Sequence, residues 1–173
     1  MPESAIDATI LAMLAPFAAA ALAPWAVRAF DHKAGWWLAI IPAAIFIHLS
    51  QMLPTIADEG SVFGGFWWVP TYGLRFSYFI DGLSLTFGLL ISGIGTLIVI
   101  YAGGYLKGHP DQGRFLSFLL LFMGSMLGLV LADNLITLFV YWELTSITSF
   151  LLIGFDHRRS AERLSFRFGQ SGS

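Results

Sequence analysis

Five apolar runs, each close to the roughly 20 residues that cross a hydrocarbon core, constrain this chain to a bundle of membrane-spanning helices. They lie at about Ile6–Val27, Gly35–Leu53, Gly82–Leu106, Phe115–Leu131 and Asn134–Ile153. Inside lipid a segment must satisfy its own backbone N–H and C=O groups, which selects helix over any open strand. The expected fold class is an all-α integral membrane protein with five transmembrane helices. Composition agrees: 12% of residues are charged, against about 25% in a soluble domain. The sequence contains no cysteine, which removes disulfides, thiolate nucleophiles and Cys-ligated metal or iron–sulfur sites from consideration. A net charge of -2 argues against nucleic-acid binding. The first ten residues carry Glu3 and Asp7, and the first basic residue is Arg28, unlike a secretory signal, so the first run is expected to be retained as a span.

Five spans put the two termini on opposite sides, and basic residues orient the whole. Arg28, Lys33, Lys107, Arg114, Arg158, Arg159, Arg163 and Arg167 fall on one side, and Arg75 alone falls on the other with Glu3, Asp7, Asp58, Glu59 and Asp81. Loops rich in Lys and Arg stay cytoplasmic, which predicts an outer N-terminus and a cytoplasmic C-terminus. The longest loop, Pro54–Tyr78, carries Trp67 and Trp68 for the membrane interface. It then alternates Leu74, Phe76 and Tyr78 with Arg75 and Ser77, which predicts a small β-hairpin on the outer surface between helices 2 and 3. A contact with a neighbouring subunit is its alternative use.

Small residues recur at four-residue spacing in the third run (Ser84, Gly88, Ser92, Thr96) and the fourth (Gly124, Gly128, Ala132). Such ridges let helix backbones approach closely where lipid supplies no hydrophobic drive, so packing is their expected role. Pro16, Pro24 and Pro42 interrupt backbone donation in the first two runs, a feature membrane helices tolerate. The turn between the last two runs is little more than Ala132, Asp133 and Asn134, so those helices must be an antiparallel pair. Asp81 and Asp133 precede helices and are expected as N-caps, with a lining role at the mouth of a pathway as the alternative.

Glu143 is the residue most in need of a reason. Nine uncharged residues precede it and ten follow it within Asn134–Ile153, so its carboxylate falls at mid-bilayer. An acidic side chain there costs roughly 2.5–3.5 kcal/mol on insertion scales, and proton or ion handling is the usual return. A hydrogen-bonded packing carboxyl is the structural alternative, although a glutamine would serve that role as well. On a helix advancing about 100° per residue, Ser146 lies within about 60° of Glu143 and is its expected local hydrogen-bond partner. Other hydroxyls of this run are expected to bond back to their own helix. His48, five residues from the outer end of the second run, is a candidate proton relay, with a histidine bonded to a carbonyl as the commoner reading. His109 and His157 sit in basic loops, and Asp156, His157, Arg158 and Arg159 read as a stop-transfer cluster. Metal-ligand spacing, a Gly-rich phosphate loop and a Ser/His/Asp grouping are all missing from the sequence.

Specific runs carry a family likeness. Phe79-Ile80-Asp81-Gly82-Leu83-Ser84-Leu85, Tyr101-Ala102-Gly103-Gly104-Tyr105, Ala132 through Ser146, and Ser149-Phe150-Leu151-Leu152-Ile153-Gly154-Phe155 closely resemble the N-terminal part of the antiporter-like subunits shared by Mrp-type cation/proton antiporters and respiratory complex I. The match covers roughly residues 5–163. Trp142-Glu143-Leu144-Thr145-Ser146 looks like the large A subunit of the Mrp antiporter; the complex I subunit typically reads Gly-Val-Gly at positions 144 to 146. The resemblance implies a fold with inverted repeats of five-helix units. It makes Glu143 a proton-pathway residue paired with a lysine on a later helix. It also implies a subunit of a multi-pass complex in a bacterial inner membrane, exchanging H+ for Na+ or K+ with no cofactor of its own, a secondary-transporter component and not an enzyme. The alternative within the superfamily is a proton-pumping subunit of an NADH-quinone oxidoreductase or membrane-bound hydrogenase, with quinone reduction in other subunits. A third reading is an inert membrane scaffold. Residues 1–163 are expected to be the N-terminal transmembrane bundle. Leu164–Ser173 departs from the family pattern and reads as a truncation, so the fragment is not expected to complete a transport cycle without the later lysine.

Overall fold

A computed structural model describes residues 8–30, 33–69, 71 and 74–169, with the backbone alone for 66–69, 74–75 and 156–169. The side chains of Trp67, Trp68, Arg75 and the Asp156–Arg159 cluster, all assigned above, therefore lie outside the described residues. The order is α1 (Ala8–Phe30), α2 (Ala34–Gln51), α3 (Leu53–Glu59), β1 (Ser61–Val69), β2 (Leu74–Asp81), α4 (Gly82–Tyr105), α5 (Gln112–Leu131) and α6 (Leu135–Gly169). Five stretches are long and apolar enough to cross a membrane: Ala8–Phe30, Ala34–Glu59, Gly82–Tyr105, Gln112–Leu131 and Leu135–Phe155. The chain is thus mostly helical, with one two-stranded sheet among the described residues.

Several boundaries differ from the sequence reading, among them the end of α6, which continues as helix to Gly169 where the apolar run stops at Ile153. The segment read as loop from Pro54 begins with α3, because proline is tolerated in a helix's first turn; Gly60, at φ +80°, then ends it. The hairpin is longer than expected, pairing Ser61 with Asp81 through to Trp67 with Arg75, and its register shifts between Trp67 and Val69. The fifth span is capped by Asn134, whose Oδ1 accepts the Thr137 N–H at 2.8 Å, and not by Asp133. A cap must lie two or three residues ahead of its amide partner, and Asn134 has the right offset for Thr137. Asp81 does cap α4. Its Oδ1 accepts the Ser84 N–H at 2.8 Å while Ser84 Oγ accepts the Asp81 N–H at 2.8 Å, a reciprocal capping box.

The prolines are helical, and the two of α1 are received by glycines. α1 runs through Pro16 and Pro24, and α2 through Pro42. A Cβ on Gly124 would lie 3.0 Å from Pro16 Cβ, and one on Gly113 would lie 2.8 Å from Pro24 Cα. Glycine on α5 is therefore what allows a proline-bearing helix to lie flat against it. α2 and α4 approach as closely, since a Cβ on Gly35 would come within 2.6 Å of Gly103 Cα.

Two buried clusters fill the bundle. One joins Ile10, Met13, Leu49, Ile80, Leu85, Leu127, Leu131 and Tyr141 at the hairpin end. The other is built largely from small residues, Ala19, Ala20, Ala23, Ala39 and Ala102, at the opposite end. α1, α2, α4 and α5 supply the whole buried part of the second, whereas α3, β2 and α6 add Ile56, Tyr78, Ile80 and Tyr141 to the first. α6 is peripheral: 11% of its most apolar stretch is buried, against 44% for α5.

Candidate functional site around Glu143

α6 enters the bundle at a polar knot. Ser77 Oγ on β2 donates to Asp133 Oδ2 at 2.8 Å, Asn134 Nδ2 donates to Ser77 Oγ at 3.2 Å, and Tyr78 bridges Ala132 through the backbone. Ser77 is 2% exposed, so this knot is shielded and ties the start of the helix to β2. From there the inward face of α6 runs through Thr137, Tyr141 and Thr148, all buried, with Leu144 and Thr145 half-buried between them. That spacing is one stripe of a helix of about 3.6 residues per turn.

Glu143 lies two residues beyond Tyr141, almost opposite on the helix, and is exposed. Trp142, Ile147, Phe150 and Ile153 share its outward side. Hydroxyls nearby are committed to their own helix: Thr145 Oγ1 donates to Tyr141 O at 2.8 Å, Thr148 Oγ1 to Leu144 O at 2.8 Å, and Ser149 Oγ to Thr145 O at 2.7 Å. Ser146, expected beside the carboxylate, donates to Trp142 O at 3.2 Å. Among the described residues, no hydrogen bond or ion pair to the Glu143 carboxylate is present. The arrangement can present a carboxylate to a proton carrier from outside these five helices, and among the described residues it offers no internal partner.

His48 is placed elsewhere. Its Nε2 lies 3.1 Å from Thr9 Oγ1, an α2-to-α1 bond in which a hydroxyl takes the place of the carbonyl expected from sequence. Thr9 is 3% exposed, so the pair is shielded on the Thr9 side. His48 thus belongs to the α1–α2 seam, whereas Glu143 faces away from α5; the structure does not bring the two together. At the other end of α6, Phe155 packs on Phe115 (ring centroids 5.2 Å apart) and edge-on to His109 (6.4 Å). No group of three His, Asp or Glu among the described residues is placed to hold a metal ion.

Sequence reasoning missed the seat of Tyr141. Its ring occupies the space a Cβ on Gly128 would fill, between Phe17 of α1 (centroids 6.3 Å apart) and Phe76 of β2 (6.5 Å). The Gly124–Gly128 ridge was a visible signal that something packs there. Nothing in the sequence said which ring.

Five helices long and apolar enough to cross a membrane, several of them notched by glycine where they pack, define a polytopic membrane protein. Residues 68–116 match the family model described as NADH-Ubiquinone oxidoreductase (complex I), chain 5 N-terminus. The chain is 43% identical over 152 residues to Na(+)/H(+) antiporter subunit A1 of Staphylococcus aureus, and equally to that of its strain JH9, covering 87% of this chain and 19% of the relative. It also superposes on a chain of the Mrp complex from Dietzia sp. with a TM-score of 0.71 and 33% identity, covering 83% of this chain and 15% of that one. In sequence and fold the chain resembles the N-terminal region of the large A subunit of Mrp-type antiporters, in the superfamily shared with complex I. It spans about a fifth of the length of the curated relatives it matches, 19%.

Proposed function

We propose that the chain is the N-terminal proton-handling unit of a monovalent cation/proton antiporter subunit, with Glu143 loading and releasing a proton in a hydrated path along the outward face of α6. The observation that supports this most is the exposed carboxylate at mid-span, which has no partner among the described residues. Left against lipid it would be costly; against a water-lined path and the lysine that the family resemblance implies, it is compensated. Protons moving through such a path draw on the membrane potential, about 2.3 kcal/mol per elementary charge per 100 mV, and their flux is exchanged for Na+ or K+ in the assembled complex. The reading places the hairpin and the N-terminus on the outer side and the C-terminus in the cytoplasm of a bacterial inner membrane. Complex I-type proton pumping is the second reading, favoured by the match of residues 68–116 to the complex I family.

The test is sodium-dependent proton flux in inverted vesicles of an antiporter-deficient bacterial host, with the complete set of partner subunits. Flux should appear with the parent and be lost with Glu143→Gln. Flux undiminished in Glu143→Gln would remove Glu143 from the path, and flux driven by NADH but not by a sodium gradient would favour the second reading.

A further inference from the structure

Resting on the proton-path reading of Glu143, we infer that Tyr141 is its positioning residue: the ring, keyed into the Gly128 notch of α5 and gripped by Phe17 and Phe76, sets the rotation of α6 that turns the carboxylate outward. Three elements converge on this one side chain. α5 supplies the notch, since any Cβ at Gly128 would fall within the Tyr141 ring. α1 supplies Phe17, which itself packs over Gly124 at 3.0 Å from where a Cβ there would sit. β2 supplies Phe76, one residue before the Ser77 knot that ties the start of α6 to the hairpin. Tyr141 is 5% exposed although it lies on a helix that is mostly outside the bundle, so its burial is local and specific.

Geometry makes the coupling obligatory. Two residues on a helix are about 200° apart, so seating Tyr141 toward α5 turns Glu143 away from it. A displaced ring would rotate or lift α6 and move the carboxylate by more than the ångström or so that proton transfer tolerates. Of the other inward residues of α6, Thr148 Oγ1 bonds back to its own helix, Leu144 is only half-buried against the core, and Phe155 packs on Phe115, 14 residues beyond Tyr141, so the notch at Gly128 is the key nearest Glu143.

The experiment uses the complete complex and two readouts. This sequence has no cysteine, so Glu143→Cys introduces a thiol whose labelling by a charged, water-borne maleimide reports where position 143 faces, after subtraction of the parent's background. Adding Gly128→Ala or Tyr141→Ala should change that rate several-fold, while Tyr141→Phe should leave it as it is. Pairing Gly128→Ala with Tyr141→Leu, a smaller knob for a smaller hole, should bring the rate back toward the parent's. With Glu143 intact, sodium-dependent flux should fall about 10–100-fold in Gly128→Ala and persist in Tyr141→Phe. A labelling rate indifferent to both Gly128→Ala and Tyr141→Ala would overturn the positioning role. Loss of flux in Tyr141→Phe would overturn it as well, by assigning chemistry to the hydroxyl. Because labelling does not depend on transport, it stands or falls separately from the Glu143→Gln result that tests the proton path.

Discussion

Asp81 and Asp133 look alike in the sequence, each just ahead of an apolar run, yet they take different partners. Asp81 closes a capping box with Ser84. Its carboxyl is held below the ordinary aspartate range first by the Ser84 backbone N–H and then by the Ser84 side chain. A depressed folded-state pKa contributes stability that is present above the unfolded value and lost as pH falls through the folded one. The melting temperature of the detergent-solubilised chain should therefore decline in acid below the usual carboxylate range, and Asp81→Ala should flatten part of that decline while lowering the neutral plateau. Parallel melting curves against pH for the two proteins would count against the cap. Asp133 instead accepts from Ser77, a partner 56 residues away that local spacing could not reveal. Ser146 shows the limit of angular reasoning: its position near Glu143 was legible, but a serine hydroxyl in a membrane helix has a carbonyl of its own closer to hand.

α6 is where local signals and tertiary contacts meet. Its apolar stretch was plain from hydropathy, although the helix runs on past the expected end at Ile153 to Gly169, and its inward stripe of Thr137, Tyr141 and Thr148 has helical spacing. Its start was misassigned by one residue, and the assignment has a direct test. Asn134→Ala should cost about 1 kcal/mol and speed amide exchange in the first turn, Leu135–Leu138, whereas Asp133→Ala should disturb those amides less. Equal effects from the two changes would mean that the knot with Ser77, and not the Asn134 cap, starts the helix. The hairpin was legible from the alternation in β2. Its pairing partner β1 was not, because Gly64 and Gly65 interrupt the pattern; Gly64 lies under the Tyr78 ring and Gly65 takes φ +154°, both requirements imposed by the opposite strand.

Across the whole bundle, stability rests on a few backbone approaches that glycine alone permits. Gly103 and Gly104 are neighbours with opposite surroundings: a Cβ on Gly103 would come within 2.5 Å of Gly35 Cα, while one on Gly104 would meet nothing within 4 Å. Gly103→Ala should pry α2 from α4 and destabilise by about 1–3 kcal/mol, whereas Gly104→Ala should be neutral or add up to about 1 kcal/mol through helix propensity. Thermal melts of the two variants that moved together would contradict this packing. The number of candidate spans and the ridges of small residues could be read from the order of residues, because lipid solvation acts on each segment separately and demands length, hydropathy and self-satisfied hydrogen bonds. Which ridge meets which helix could not. Pairing is set by shape between segments far apart in the chain, as when Pro16 meets Gly124 or Tyr141 fills the space beside Gly128. The direction in which Glu143 faces follows from those fits, since one seated ring settles the rotation of the helix that carries it.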